Sequence, residues 1–232
     1  MNRTKIFLQV DELSSRMRGH LKRVIAPESF AYRVLRGPSM WLRHLGKTAR
    51  LKTNDSIFYR EEELGMCSLF PERALNLIMQ RIHPKTVLDV GCGTGVSMDF
   101  LVSQGVEVEG LEGSTLARKR SKHPERIRIH NLQEPWTSGK RYDMVWCFEV
   151  VEHIHPRYLN ELMTTLTTNG DVVVISAAHP GQGGEGHFNE QEPAYWIREF
   201  NARGFDLDDP FTKTLRALDD YSANMLAFRK RS

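Results

Sequence analysis

The sequence predicts an α/β protein built on a mainly parallel sheet with helices on both of its faces. From residue 71 onward, short apolar runs alternate with segments of helical length, a pattern typical of parallel strands joined by helices. One apolar run ends in Asp89 and is followed by three glycines at alternate positions, Gly91, Gly93 and Gly95. Glycines in such a loop let the backbone approach a ligand closely. We therefore expect a ligand site at the carboxyl ends of the strands.

The predicted elements follow one another at regular spacing. A helix begins near Pro71 and runs to about Arg81. The strands are predicted at residues 86–90, 106–111, 127–130, 142–148, 171–177, 205–209 and 222–229. The further helices are predicted at residues 95–104, 114–121, 156–168 and 191–203.

The composition is that of a globular protein. The chain has 232 residues, of which 40% are hydrophobic and 26% are charged, enough for one substantial α/β domain with an appendage. No apolar run approaches the ~20 residues of a membrane-spanning helix, and a cytoplasmic location is expected. Three cysteines without a paired spacing predict buried reduced thiols rather than a disulfide framework or a zinc site.

The spacing of the glycines distinguishes between classes of cofactor. A dinucleotide-binding loop requires glycine or alanine at the position that Val96 occupies here. The run Asp89-Val-Gly-Cys-Gly-Thr-Gly95 instead resembles motif I of the class I S-adenosylmethionine-dependent methyltransferases. The resemblance extends over roughly residues 71–230.

Three further segments carry the same resemblance. The second predicted strand ends in Glu112, 23 residues after Asp89, where a carboxylate is placed to bind ribose. Asn131 and Leu132 follow the third strand, at the place where members of the family bind the adenine ring. Residues 142–154 are similar to the Phe-Asp-x-Val-x-x-x-Glu-Val-x-Glu-His pattern of small-molecule enzymes and lack the Pro-Pro motif of amine-methylating enzymes.

The resemblance implies a Rossmann-like, doubly wound sheet of seven strands in the order 3-2-1-4-5-7-6, with S-adenosyl-L-methionine as cofactor. Asp89 is expected near the methionine end of the cofactor and Glu112 at its ribose. The predicted cofactor-binding residues are Asp89, Gly91, Cys92, Gly93, Thr94, Gly95, Glu112, Gly113, Asn131, Leu132 and Phe148.

A polar, glycine-rich loop at residues 178–191 is predicted to receive the acceptor substrate. His187 in this loop is the candidate general base, and His153 and Glu149 are the other candidate catalytic residues. An alternative reading makes His179 and His187 metal ligands together with Glu185 and Glu190. Because this spacing matches no standard metal template, no metal is predicted.

Residues 1–70 are predicted to form a basic helical cap, and residues 71–232 the methyltransferase domain. Residues 1–52 contain twelve Lys and Arg against three Asp and Glu. We interpret this segment as a lid over the cofactor cleft; the alternative is a binding surface for RNA or an acidic carrier.

The predicted function is methyl transfer to a hydroxyl, or a similar nucleophile, of a small molecule or glycan. Two alternatives remain open: an RNA methyltransferase that uses the basic N-terminal segment, and a non-catalytic S-adenosylmethionine-binding module. The sequence predicts neither the acceptor nor the oligomeric state.

Overall fold

The structure, a computed structural model, describes residues 69–184, 186–220 and 222–231. Within these ranges the chain forms one seven-stranded sheet in the order β3-β2-β1-β4-β5-β7-β6. Strands β1 to β5 run parallel to one another, and β7 pairs antiparallel with both β5 and β6. The predicted α/β class and strand order are therefore confirmed.

The strands are β1 Thr86–Val90, β2 Glu107–Glu112, β3 Ile127–Ile129, β4 Met144–Cys147, β5 Val172–Ser176, β6 Phe205–Leu207 and β7 Met225–Lys230. The α-helices of the described residues are α1 Glu72–Arg81, α2 Val96–Ser103, α3 Thr115–Arg120, α4 Leu159–Thr168, α5 Pro193–Asn201 and α6 Asp209–Arg216. Short 3-10 turns lie at Pro124–Arg126, Val151–His153 and Pro156–Tyr158.

Successive side chains of the central strands point to opposite faces of the sheet, and this divides the apolar core into two layers. On one face of the sheet, Leu88 and Val90 belong to a cluster that includes Leu162 of α4 and Phe200 of α5. On the other face, Val87 belongs to a cluster with side chains of α1, α2 and α6. Helices thus cover both faces, as predicted, and the carboxyl ends of β1, β2 and β4 remain for the site.

Local capping fixes two helix starts near the site. Ser114 accepts a hydrogen bond from the amide of Ala117 at 3.1 Å and so precedes helix α3 rather than lying within it. Gly95 precedes α2 with a left-handed φ of 81°, a conformation that glycine adopts without strain.

The sequence analysis was wrong about residues 209–224. It extended a strand to residue 209, began the last strand at residue 222 and assigned no helix between them. The structure places helix α6 there, with Asp208 accepting a hydrogen bond from the amide of Phe211 at 3.2 Å. The signals were present: a capping acid, Pro210 in the first turn, and Phe211 and Leu215 one turn apart.

The predicted cap at residues 1–70 lies outside the described residues except for Leu69 and Phe70, as does Cys67. Cys92 and Cys147 are present as thiols and are buried, as expected. Within the described ranges, no helix combines the length and apolar character needed to cross a membrane.

Candidate functional site

The glycine loop after β1 approaches its neighbours too closely for side chains. Gly91 has a φ of 77°, and a Cβ atom there would lie 2.4 Å from Cγ2 of Val150. The amides of Gly91 and Cys92 both donate to the carbonyl of Leu111, at 2.8 and 3.1 Å. The loop is therefore folded back against the end of β2, where Glu112 follows directly.

The carboxylate of Glu112 holds this loop in place. Its Oε2 accepts from the amide of Gly93 at 2.8 Å and its Oε1 from the amide of Ser114 at 2.6 Å. Glu112 is buried, and burial raises its pKa although the amides of Ser114, Gly93 and Gly113 oppose the rise. Glu112, the predicted ribose-binding residue, thus also joins the glycine loop after β1 to the start of the segment after β2.

Asp89, at the carboxyl end of β1, carries an unsatisfied acceptor. Its side chain is 3% exposed, and its Oδ2 has no hydrogen-bond partner among the described residues. Burial, with repulsion from Glu112 as the smaller cause, raises the pKa of Asp89 to about 8. A buried carboxyl oxygen without a donor is costly, so Asp89 fits a cofactor that brings a cationic group to this point.

The end of β3 lies beside Glu112, the predicted ribose-binding residue. The amide of His130 donates to the carbonyl of Glu112 at 3.0 Å, and Asn131 Oδ1 accepts from the amide of Gln133 at 3.0 Å. Leu132 is buried. The side-chain amide oxygen of Asn131 thus stabilises the turn that contains the predicted adenine-binding residues.

The segment after β4 is held in an unusual backbone conformation. Phe148 stacks on Trp146 at 5.6 Å, and Glu149 has a φ of 55°, in the left-handed region that non-glycine residues rarely adopt. Ser176, which is buried at the end of β5, accepts a hydrogen bond from the amide of Glu149 at 2.6 Å. The same hydroxyl donates to Glu149 Oε1 at 2.8 Å. This reciprocal pair fixes Glu149 at the carboxyl edge of the sheet.

Glu152 lies in the 3-10 turn that follows and is fully buried. Neither of its carboxyl oxygens has a hydrogen-bond partner of normal geometry among the described residues, although its own amide and that of Ala178 lie close enough to oppose a rise in its pKa. Burial, followed by repulsion from Glu149, raises the pKa of Glu152 to about 8.

The loop at residues 178–191 is organised around Glu190. Its carboxylate accepts from the amides of Gly181 and Gly183, at 2.8 and 2.7 Å, and interacts with His187 Nδ1 at 3.0 Å. The ring of His187 packs on Gly184, where a Cβ atom would lie 2.2 Å from Nε2. Glycine at position 184 therefore provides the space that the imidazole occupies.

Two contacts join this loop to the segment after β4. The ring of His153 meets that of His187 edge to face at 4.9 Å, and its Nδ1 lies 3.1 Å from the carbonyl oxygen of Gly186. The carbonyl of Glu152 accepts the amides of Phe188 and Asn189, at 2.8 and 3.0 Å. The predicted catalytic histidines are thus adjacent in space, although 34 positions separate them in the sequence.

Three residues with a place in this arrangement were missed as site candidates. Glu152 stands within the motif quoted above but was not singled out, and Glu190 was weighed only as a metal ligand. Ser176 gives no sequence signal, because its role depends on β5 lying beside β4. Among the residues that the structure describes, which do not include Glu185, no group of three or more His, Cys, Asp or Glu side chains is arranged to hold a metal ion.

Comparison with known families defines the class of the protein. A family model described as a methyltransferase domain matches residues 81–209. This segment is more than half of the chain and contains the glycine loop, Glu112 and the segment after β4. The chain belongs to this methyltransferase family, and the predicted class, an S-adenosylmethionine-dependent methyltransferase, is confirmed.

Curated relatives match a shorter segment. The ubiquinone biosynthesis O-methyltransferase of Serratia proteamaculans is 36% identical over 91 residues, which are 34% of this chain and 38% of the relative. The chloroplastic tocopherol O-methyltransferase of Arabidopsis thaliana is 30% identical over 108 residues, 41% of this chain and 31% of the relative. The chain thus spans about a third of the length of the curated relatives it matches.

Solved structures support the fold. An amino pentose methyltransferase from Micromonospora echinaspora with bound S-adenosylmethionine superposes with a TM-score of 0.58 at 14% identity, covering 76% of this chain and 99% of that one. The magnesium protoporphyrin IX methyltransferase of Synechocystis with bound S-adenosylhomocysteine gives 0.56 at 14% identity, covering 84% and 94%.

Proposed function

We propose that this protein transfers the methyl group of S-adenosylmethionine to a hydroxyl of a small molecule or glycan. The observation that carries the proposal is the buried Oδ2 of Asp89, which has no hydrogen-bond partner in the described part of the chain and lies beside a glycine loop held by Glu112. A cationic amino-acid group and a ribose are the ligand features that such a pair of carboxylates would bind. The O-methyltransferase names of the two curated relatives support an oxygen acceptor.

On this proposal, the cofactor residues divide by the part of the molecule they hold. Gly91, Gly93 and Gly95, with Cys92 and Thr94, admit the cofactor, and Asp89 holds its methionine end. Glu112 and Gly113 hold the ribose. Asn131 and Leu132 hold the adenine, and Phe148 is a further proposed cofactor contact.

The chain's main contribution to the rate is positioning. When bound, the cofactor supplies an electrophilic methyl group on a good leaving group. Holding the acceptor in line with that group contributes about 7 to 11 kcal/mol, whereas a positioned base contributes about 10²- to 10⁴-fold in rate. The proposed base is His187, with Glu190 fixing its ring through Nδ1. His153 and Glu149 complete the acceptor side.

The test is calorimetric titration with S-adenosylmethionine, S-adenosylhomocysteine and NAD, followed by a turnover screen with labelled S-adenosylmethionine. The screen contains phenols and hydroquinones, free and nucleotide-linked sugars, and transfer RNA. We expect micromolar binding of the first two ligands, no binding of NAD, and label in a hydroxyl-bearing small molecule or sugar. Binding of NAD alone would overturn the proposal.

The alternative acceptor is RNA, favoured by the twelve basic residues within positions 1–52. Label in transfer RNA, with binding that weakens steeply as salt rises, would establish it. Binding of both cofactor forms with no label in any acceptor would favour a non-catalytic module.

The small-molecule methyltransferase proposal also includes a cytoplasmic location and two parts of the chain. These parts are a cap at residues 1–70 and a catalytic domain at residues 71–232.

A further inference from the structure

Glu152 has no role in the proposed function, yet its environment is unusual for a structural residue. It is fully buried, and both of its carboxyl oxygens lack a normal hydrogen-bond partner within the described part of the chain. Burying a carboxyl group without donors costs several kcal/mol when it is charged. A group of this kind is expected where a ligand, rather than the chain, supplies the counter-charge.

The position of Glu152 indicates which ligand that is. Its backbone carbonyl anchors the amides of Phe188 and Asn189 in the acceptor loop, and its own turn follows the end of β4. Strand β4 lies directly beside β1, with Trp146 in register with Asp89. The turn that carries Glu152 therefore follows the strand next to Asp89 and contacts the acceptor loop.

The charged groups that act on the two carboxyls are acidic, although the amides of Glu152 itself and of Ala178 oppose the rise in the pKa of Glu152. Glu149 on its own segment and Glu190 of the acceptor loop repel charge on Glu152, and Glu112 of β2 repels charge on Asp89. Repulsion and burial together keep both carboxyls protonated at neutral pH until a cation arrives.

We propose that Glu152 is a specificity-determining residue that, beside Asp89 at the methionine end, recognises the sulfonium charge of the methyl donor and disfavours the neutral-sulfur product. The inference rests on the proposed function, because the donor and S-adenosylhomocysteine differ by the sulfonium charge and one methyl group. Binding the donor converts the Glu152 carboxylic acid to a carboxylate and releases its proton to solvent. The product lacks the sulfonium charge and releases fewer protons.

The test is calorimetry of the full-length protein with S-adenosylmethionine and with S-adenosylhomocysteine, in EDTA at pH 7.0. Titration in phosphate and in Tris, which differ in ionisation heat, counts the protons released. We expect the donor to release up to about one more proton than the product. In Glu152→Gln this difference disappears, and donor affinity falls about tenfold while product affinity changes by less than about twofold.

Glu161→Gln is the matched control. Glu161, on helix α4, also has a buried carboxyl oxygen with no hydrogen-bond partner among the residues that the structure describes, but it is not among the charges that act on Glu152. We expect it to retain the wild-type difference in proton release. If Glu152→Gln does not fold, the wild-type protein still tests the idea, because its preference for donor over product must rise as pH increases from 6.5 to 8.5.

The outcomes separate the two proposals. If neither ligand binds, the proposed function fails and the inference fails with it. If both bind with equal proton release and a pH-independent preference, only the inference is overturned. Proton release on titration with Mg²⁺ alone, lost in Glu152→Gln, would assign the carboxyl to a divalent cation and would also overturn it.

Discussion

Glu112 Oε2 accepts the amide of Gly93 at 2.8 Å, so the acid that ends β2 fixes the glycine loop that follows β1. The same carboxylate reaches the amide of Ser114 with its other oxygen. One side chain therefore connects the two loops on either side of the proposed cofactor position. Glu112, the proposed ribose-binding residue, is therefore held in place by the same backbone amides that it anchors.

Removing this carboxylate should abolish tight cofactor binding. In Glu112→Ala we expect the affinity for S-adenosylmethionine and S-adenosylhomocysteine to fall about ten- to a hundredfold, because hydrogen bonds to a charged group contribute about 1.5 to 3 kcal/mol each. Calorimetric titration measures the loss. Glu107→Ala, at the exposed start of the same strand, is the control and should bind like wild type. Wild-type affinity in Glu112→Ala would contradict the ribose assignment.

Gly91→Ala should be strongly destabilising. The new methyl group would lie 2.4 Å from Cγ2 of Val150, in a backbone conformation with a φ of 77°. We expect a loss of more than about 2 kcal/mol in the free energy of unfolding by denaturant titration. Gly105→Ala has a similar φ of 81° but no atom within 4 Å of the added carbon, so it should lose only about 1 kcal/mol.

A second substitution separates the steric cost at Gly91 from the conformational one. Truncating Val150 to alanine in the Gly91→Ala background removes the clashing methyl groups. We expect this double variant to recover part of the lost stability, measured against Val150→Ala alone. Strictly additive losses would show that the contact with Val150 is not the cause.

Glu190→Gln should disorganise the acceptor loop without affecting the donor. An amide nitrogen in place of a carboxylate oxygen leaves fewer acceptors for the amides of Gly181 and Gly183 and for His187 Nδ1. We expect kcat/KM for the acceptor to fall at least about tenfold, with S-adenosylhomocysteine affinity unchanged. Exposed Glu192→Gln is the matched control. An equal loss in both variants would remove Glu190 from the site.

The raised pKa of Asp89 predicts that the stability of the folded protein depends on pH. Its pKa is about 8 in the folded protein against an ordinary value of 3.8, so between these values the folded state binds the proton that the unfolded state has released. The contribution of Asp89 to stability therefore falls as pH rises from about 4 to 8. Asp89→Asn removes this titration, so its melting temperature relative to wild type should be higher at pH 8.5 than at pH 5.5. A difference that does not vary with pH would contradict the raised pKa.

Much of the fold and the donor side of the site could be predicted from the sequence because their signals are local. An apolar run, an acid and three glycines within ten residues predict a strand, then a loop, and then a helix preceded by a glycine with positive φ. Alternation of Val87, Leu88 and Val90 specifies which side chains face each layer. The missed helix α6 is the exception, because a capping acid and two apolar residues one turn apart are a weaker signal than the strands beside it.

The sequence by itself determined the class of the protein, the strand order through its family pattern, and which acids end β1 and β2. Only the tertiary structure decided that Ser176 holds Glu149, that His153 contacts His187, and that the buried carboxyl group of Glu152 has no hydrogen-bond partner of normal geometry among the described residues. These relationships depend on β5 lying beside β4 and on a loop of the chain folding back across both. A side chain's burial and partners are set by residues distant in sequence, and no local pattern of residue types specifies them.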